Sequence, residues 1–188
     1  MNGDVPAAWG RFSGSGSTMD LFVLPSQMEN RLPGKILVIG YGNTLRGDDG
    51  IGWYVAESLQ DAWRDHRVEV RALPLLPPEL TLDLADADLV LFIDADCRLQ
   101  PLTWALEPVI AKPESAPFTS HVCPSGLLFL TQWLHGRCPQ AHLLRIGAGY
   151  FEFDERLSVA MSGLLPRLIS VVKSLVAGWL PLSSDVYL

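Results

Sequence analysis

The sequence predicts an α/β protein: one domain with a mostly parallel central sheet and helices on both faces. Two observations carry this. Short continuous apolar runs, "KILVIG" at 35–40 and "DLVLFIDAD" at 88–96, have the character of strands buried on both sides. Segments of helical periodicity alternate with such runs, which is the order of a doubly covered parallel sheet.

Residues 1–34 read as a poorly ordered lead-in, with a Gly/Ser run ("SGSGS") and a closing breaker, "LPG". The α/β domain is expected over 35–182, leaving a short tail at 183–188. After the first strand, Ile51, Val55, Leu59, Ala62 and Trp63 recur at helical spacing. "RVEVRAL" alternates as a strand, and "PELTLDLADA" predicts a short helix entered at a proline. "DLVLFIDAD" follows as the third strand, "TWALEPVI" as an edge strand, "SGLLFLTQWLH" as a helix and "AHLLRIGAG" as a further strand. In the last helix Leu165, Leu168, Ile169, Val172, Leu175, Val176 and Trp179 form one stripe, with Arg167 and Lys173 off it. No internal repeat is visible.

With 188 residues, 48% hydrophobic and 19% charged, the chain can bury a sizeable core. A net charge of −7 argues against a general nucleic-acid binder. Cys97, Cys123 and Cys138 have neither CxxC nor zinc-ribbon spacing, and an odd set suits a reducing compartment. The N-terminal residues lack a secretory pattern. The most apolar stretch, 164–182, is interrupted by Pro166, Arg167, Lys173 and Pro181, so no membrane span is expected. These features predict a cytoplasmic protein, a monomer when free.

The loop "GYGNTLRGDDGIG" at 40–52 carries the chemistry. Its glycines suggest a phosphate cradle, but the third comes late for a dinucleotide fingerprint, and no Gly-Lys-Ser/Thr follows. Asp48 and Asp49 occupy the approach to a helix N-terminus, where pyrophosphate would lie, and would repel it by several kcal/mol at intermediate dielectric. No nucleotide is expected. An aspartate here can also cap the helix, but one cap suffices. Capping could be the whole role of Asp48, and Asp49 is the better functional candidate.

Ligands in open α/β sheets collect beyond the carboxyl ends of the strands. The third strand delivers Asp94 there, with Asp96 two residues on, and His121 opens the stretch before a helix. Each has an ordinary reading, as a polar strand end or a surface histidine. Together, two carboxylates and an imidazole from separate segments make an open site for a borderline divalent metal such as Ni, Zn, Mn or Fe. His66, His135 and His142 receive structural readings only.

These segments resemble a known family, the maturation endopeptidases of nickel–iron hydrogenases. "ILVIGYGNTLRGDDGIG" looks like its N-terminal signature, "DLVLFIDA" like its second motif, "TSHVC" like its metal-histidine segment, and "GYFEFDERLSVAM" like its late segment. The likeness spans about residues 35–180. It implies an endopeptidase that cuts a C-terminal extension from the hydrogenase large-subunit precursor after nickel insertion, with that nickel as the recognition element. Asp49, Asp94 and His121 would be the ligands and the catalytic set. Asp48 becomes a supporting or capping residue, and Gly40, Gly42 and Asn43 shape the loop. The loop has Asp-Asp where several relatives have Asp-Glu, so Asp49 reaches one methylene less far. "LPLLPPEL" resembles the Pro-Glu-Leu variant of relatives serving bidirectional hydrogenases, making 74–80, with Glu79, a candidate selector of the precursor.

Two rival readings stand beside this one. A cysteine peptidase would use Cys123 or Cys97 with His121. A nickel-dependent chaperone or binding module would hold the large subunit without cutting it, and no serine triad or HExxH helix speaks for hydrolysis by itself.

Overall fold

The computed structural model describes residues 12–14, 34–63, 65–113 and 122–180. His121, the tail at 183–188 and most of the lead-in lie outside the described residues. Among the described residues six strands form one sheet: β1 (Phe12–Gly14), β2 (Ile36–Tyr41), β3 (Val68–Leu73), β4 (Leu89–Asp96), β5 (Trp104–Pro108) and β6 (Gln140–Gly147). Their order is β1-β5-β6-β4-β2-β3. The four strands β6, β4, β2 and β3 are mutually parallel, while β5 runs antiparallel to both β6 and β1.

Burial on both sides explains the continuous apolar runs of β2 and β4. Ile36 and Val38 of β2, with Leu89, Leu91 and Ile93 of β4, face a core capped by α1 (Ile51–Glu57) and α4 (Val159–Trp179). Leu37 and Ile39, with Val90 and Phe92, face the opposite core, closed by α2 (Thr81–Asp86) and α3 (Pro124–His135). Neither strand keeps a solvent face, so neither can alternate apolar with polar.

Three elements differ from the sequence expectation. The β5 strand is not the edge, because Phe12–Gly14 pairs outside it; that short strand falls within the residues read as lead-in. The α1 helix stops at Glu57, short of Trp63. Ser58 turns its hydroxyl back onto the Tyr54 carbonyl (2.7 Å), and the chain continues in tight turns, Leu59 N–H to Ala56 and Ala62 N–H to Leu59. The apolar stripe survives this change, since Leu59 is fully buried and Ala62 and Trp63 still pack on the core. Finally, α4 begins at Val159 and runs through Pro166, which lies on its exposed side. By length and mean hydropathy (1.5) this helix passes for a membrane span, despite its charges and Pro166. Its buried stripe, Met161, Leu168, Val172, Leu175, Val176 and Trp179, instead covers the sheet.

The topology positions the site. From β2 the chain goes outward to β3 and then returns to place β4 on the other side of β2. The direction of winding therefore reverses between β2 and β4, and the crevice beyond the carboxyl ends of these two strands is where a ligand site forms in such sheets.

Candidate active site

The acidic loop leaves β2 at Tyr41 and turns sharply. Gly42 has φ 146°, and a Cβ there would collide with the backbone carbonyl of Asp49, so only glycine lets the loop close on itself. Gly52, at the start of α1, is pressed against the carbonyls of Tyr41 and Ile93. It brings the loop and helix down directly over the β2–β4 junction. The loop is also stitched to a distant segment. Gly47 N–H bonds to the Asp154 carbonyl (2.8 Å), Asp48 N–H to that of Tyr150 (2.8 Å), and Asp154 N–H to that of Leu45 (3.2 Å). The first and last motifs singled out in the sequence are thus physically one unit.

The four aspartates near this edge separate into two kinds. Asp48 is buried and accepts hydrogen bonds from the backbone N–H (2.8 Å) and hydroxyl (3.1 Å) of Ser158. This corrects the capping expectation, since no side chain caps α1 or the short 3-10 turn at Gly47–Gly50. Asp48 instead braces the residue that caps α4, where the Ser158 hydroxyl accepts from Met161 N–H (3.2 Å). Asp96, also buried, is paired with Arg98 (3.0 Å) and Arg145 (3.2 Å), and Arg98 holds its carboxyl below the usual carboxylate range. Both carboxylates are consumed by structure.

Asp49 and Asp94 are different. Asp49 is half-buried, and its Oδ2 accepts only a long bond from Asn43 N–H (3.2 Å) among the hydrogen bonds described for it. Asn43 itself is tied into the loop, its Oδ1 accepting from Leu45 N–H (2.9 Å). At the end of β4, Asp94 is half-buried and accepts from the Tyr41 hydroxyl at 2.7 Å. Burial pushes its carboxyl up to about 6, opposed by the Tyr41 and Ala95 hydrogen bonds and aided by the negative charges of Asp49 and Asp96. Asp49 and Asp94, remote in sequence, are thus close enough for the charge of one to act on the other. Two carboxylates repelling each other in a partly dry cleft match the donor chemistry of a divalent cation.

Burial, and then the Asp94 charge and hydrogen bond, push the Tyr41 hydroxyl far above its ordinary range, with the smallest contribution from Cys123, just before α3. Among the described residues no cluster of three or more metal-binding side chains is present. His121, the third expected ligand, lies outside them. Of the remaining histidines, His66 is exposed in a turn, His135 ends α3, and His142 stacks on Trp179 with ring centroids 5.5 Å apart. The sequence reading passed over Tyr41 and Ser158. Tyr41 had one available signal, a phenol closing an otherwise aliphatic strand.

No protein-family model and no curated protein matches the chain. Among solved structures, a [NiFe] hydrogenase maturation protease, HycI, from Thermococcus kodakarensis KOD1 superposes with a TM-score of 0.63 at 21% identity, covering 77% of this chain and 94% of its own. The hydrogenase maturating endopeptidase HybD from E. coli gives 0.61 at 22% identity over 77% and 93%. A hydrogenase 2 maturation peptidase from a Thaumarchaeota archaeon gives 0.56 at 20% identity over 76% and 98%. This chain has the hydrogenase maturation-protease fold. The shared fold accounts for nearly all of each relative's length.

Proposed function

We propose that this protein is an endopeptidase that removes the C-terminal extension from a nickel-loaded [NiFe]-hydrogenase large-subunit precursor, working in the cytoplasm. The observation that carries the reading is that Asp94, at the β2–β4 crevice, feels the charge of Asp49 on the acidic loop, while neither carboxylate has an ion-pair partner among the described residues. The fold shared with maturation proteases supports it.

In this reading nickel arrives as part of the substrate. Asp49, Asp94 and His121 supply two carboxylate oxygens and a ring nitrogen, an incomplete shell that the precursor's own ligands fill. Before docking, the two carboxylates only repel each other; a nickel-bearing precursor relieves that repulsion and a nickel-free one does not. Metal loading thereby separates two states of one substrate by affinity.

The segment 74–80 leaves β3 at this same end of the sheet, with Leu75 and Glu79 exposed. It would meet the precursor beside the cut and select among precursors. The test is the mass of a purified precursor after mixing with this protein, with and without inserted nickel. A mass loss only in the loaded sample is expected. An unchanged mass in both would favour the holding role of a nickel-dependent chaperone, and cleavage lost on replacing the three cysteines by alanine would favour a thiol peptidase.

A further inference from the structure

Tyr41 belongs to neither the acidic loop's expected ligand set nor the hydrophobic core proper, yet it makes the shortest bond at the site. It follows directly from strand register. Gly40 of β2 lies level with Ile93 of β4, so the next residues on the two strands, Tyr41 and Asp94, lie side by side where β2 ends. They point to the α2–α3 side, where the Tyr41 ring packs against the core that includes Leu37, Ile39 and Phe92. The ring is therefore fixed by packing before its hydroxyl meets any partner.

We propose that Tyr41 is a positioning residue for Asp94, holding its carboxylate in the one orientation that presents the remaining oxygen to a substrate-borne divalent cation. The inference rests on the maturation-protease reading and adds to it a residue that reading does not contain. A carboxylate side chain has two free torsions, so its orientation in the crevice must be set by a partner. The Tyr41 hydroxyl limits that freedom: it donates to Oδ2 at 2.7 Å, the short distance of a charge-assisted bond, from a ring packed against the core. With Oδ2 tied to the phenol, Oδ1 is the oxygen best placed to meet a cation. Residues that orient ligands in this way contribute on the order of 10–100-fold in metal affinity or rate.

The alternative is that Asp94 merely satisfies a buried phenol. Tyr41→Phe distinguishes the two, because it keeps the packed ring and removes only the donor. Three proteins are compared, the native chain, Tyr41→Phe and Asp94→Asn, each checked for a cooperative thermal transition. Two readouts are taken: kcat and KM on nickel-loaded precursor, and calorimetric titration of the free protein with Ni2+. For Tyr41→Phe, kcat is expected to fall about 10–100-fold with KM changed little, and Ni2+ binding to weaken by a similar factor. Native kcat and native Ni2+ binding in Tyr41→Phe, alongside loss of cleavage in Asp94→Asn, would overturn the role of Tyr41 and leave the maturation-protease reading standing. Native cleavage by Asp94→Asn would overturn both.

Discussion

Asp48 and Ser158, at opposite ends of the described domain, are joined by two hydrogen bonds: the Ser158 N–H and hydroxyl both donate to the Asp48 carboxylate, at 2.8 and 3.1 Å. The same hydroxyl accepts from Met161 N–H and so caps α4. The longest helix of the fold is thus anchored by the residue next to the proposed ligand Asp49. Asp48→Ala should lower unfolding stability by about 2–4 kcal/mol, because a buried charged acceptor is lost and an amide is left unpaired. Ser158→Ala should cost about 1 kcal/mol as a lost cap. A double-mutant cycle in urea should return a coupling of at least about 0.5 kcal/mol. Strict additivity would show that the brace carries no energy.

The raised carboxyl of Asp94 makes a prediction for the free protein. Its ordinary value of 3.8 becomes about 6 in the fold. Between those values the folded chain binds more protons at this site than the unfolded chain, so this group's contribution to stability falls as pH rises through the window, and the loss persists above it. Asp94→Asn removes the buried charge. It should therefore be more stable than the native chain at pH 7.5, by about 1–2 kcal/mol, with the gap closing near pH 4. Parallel denaturation at the two pH values decides it; a gap independent of pH would show that Asp94 is not strained by burial.

Gly52 sits where α1 crosses the β2–β4 junction, and any Cβ would meet the carbonyls of Tyr41 and Ile93. Backbone cannot yield as a side-chain tip can. Gly52→Ala is expected to cost about 3 kcal/mol or more, read as a lowered denaturation midpoint. A variant within about 0.5 kcal/mol of the native chain would mean that the helix lifts off the sheet without penalty.

Substrate choice is tested by grafting. Replacing residues 74–80 with the corresponding loop of a maturation protease of different specificity should shift the preferred precursor while leaving the melting temperature within a few degrees. Only Leu76 and Leu80 of that segment are buried, so these two are retained in the graft. Unchanged precursor preference would remove the segment from the recognition surface.

How much of this was legible in the sequence differs by element. Strands β2 and β4 declared themselves because burial on two faces leaves no polar position to confuse the pattern. The stripe of α4 was equally clear, but its start was not, since Val159 through Leu164 owe their helicity to the Ser158 cap and the Asp48 brace, both tertiary features. Shortening of α1 was invisible for a related reason: Leu59, Ala62 and Trp63 stay on the core through tight turns, so the period persists where the helix does not. The carboxylates illustrate the limit most directly. Asp48, Asp49, Asp94 and Asp96 look alike along the chain, and only their partners, Ser158, Arg98 and Arg145, separate the two structural ones from the two left facing the crevice.

The central claim is that Asp49, Asp94 and His121 together grip a cation carried by another protein. Its most direct test is the rate at which each single alanine variant shortens a nickel-loaded large-subunit precursor, followed by mass, with folding confirmed by melting. The account predicts that each variant folds, that each loses cleavage by about 100-fold or more, and that nickel-free precursor is left intact by the native chain. Native rates in all three variants, or equal cleavage of precursor with and without nickel, would contradict it.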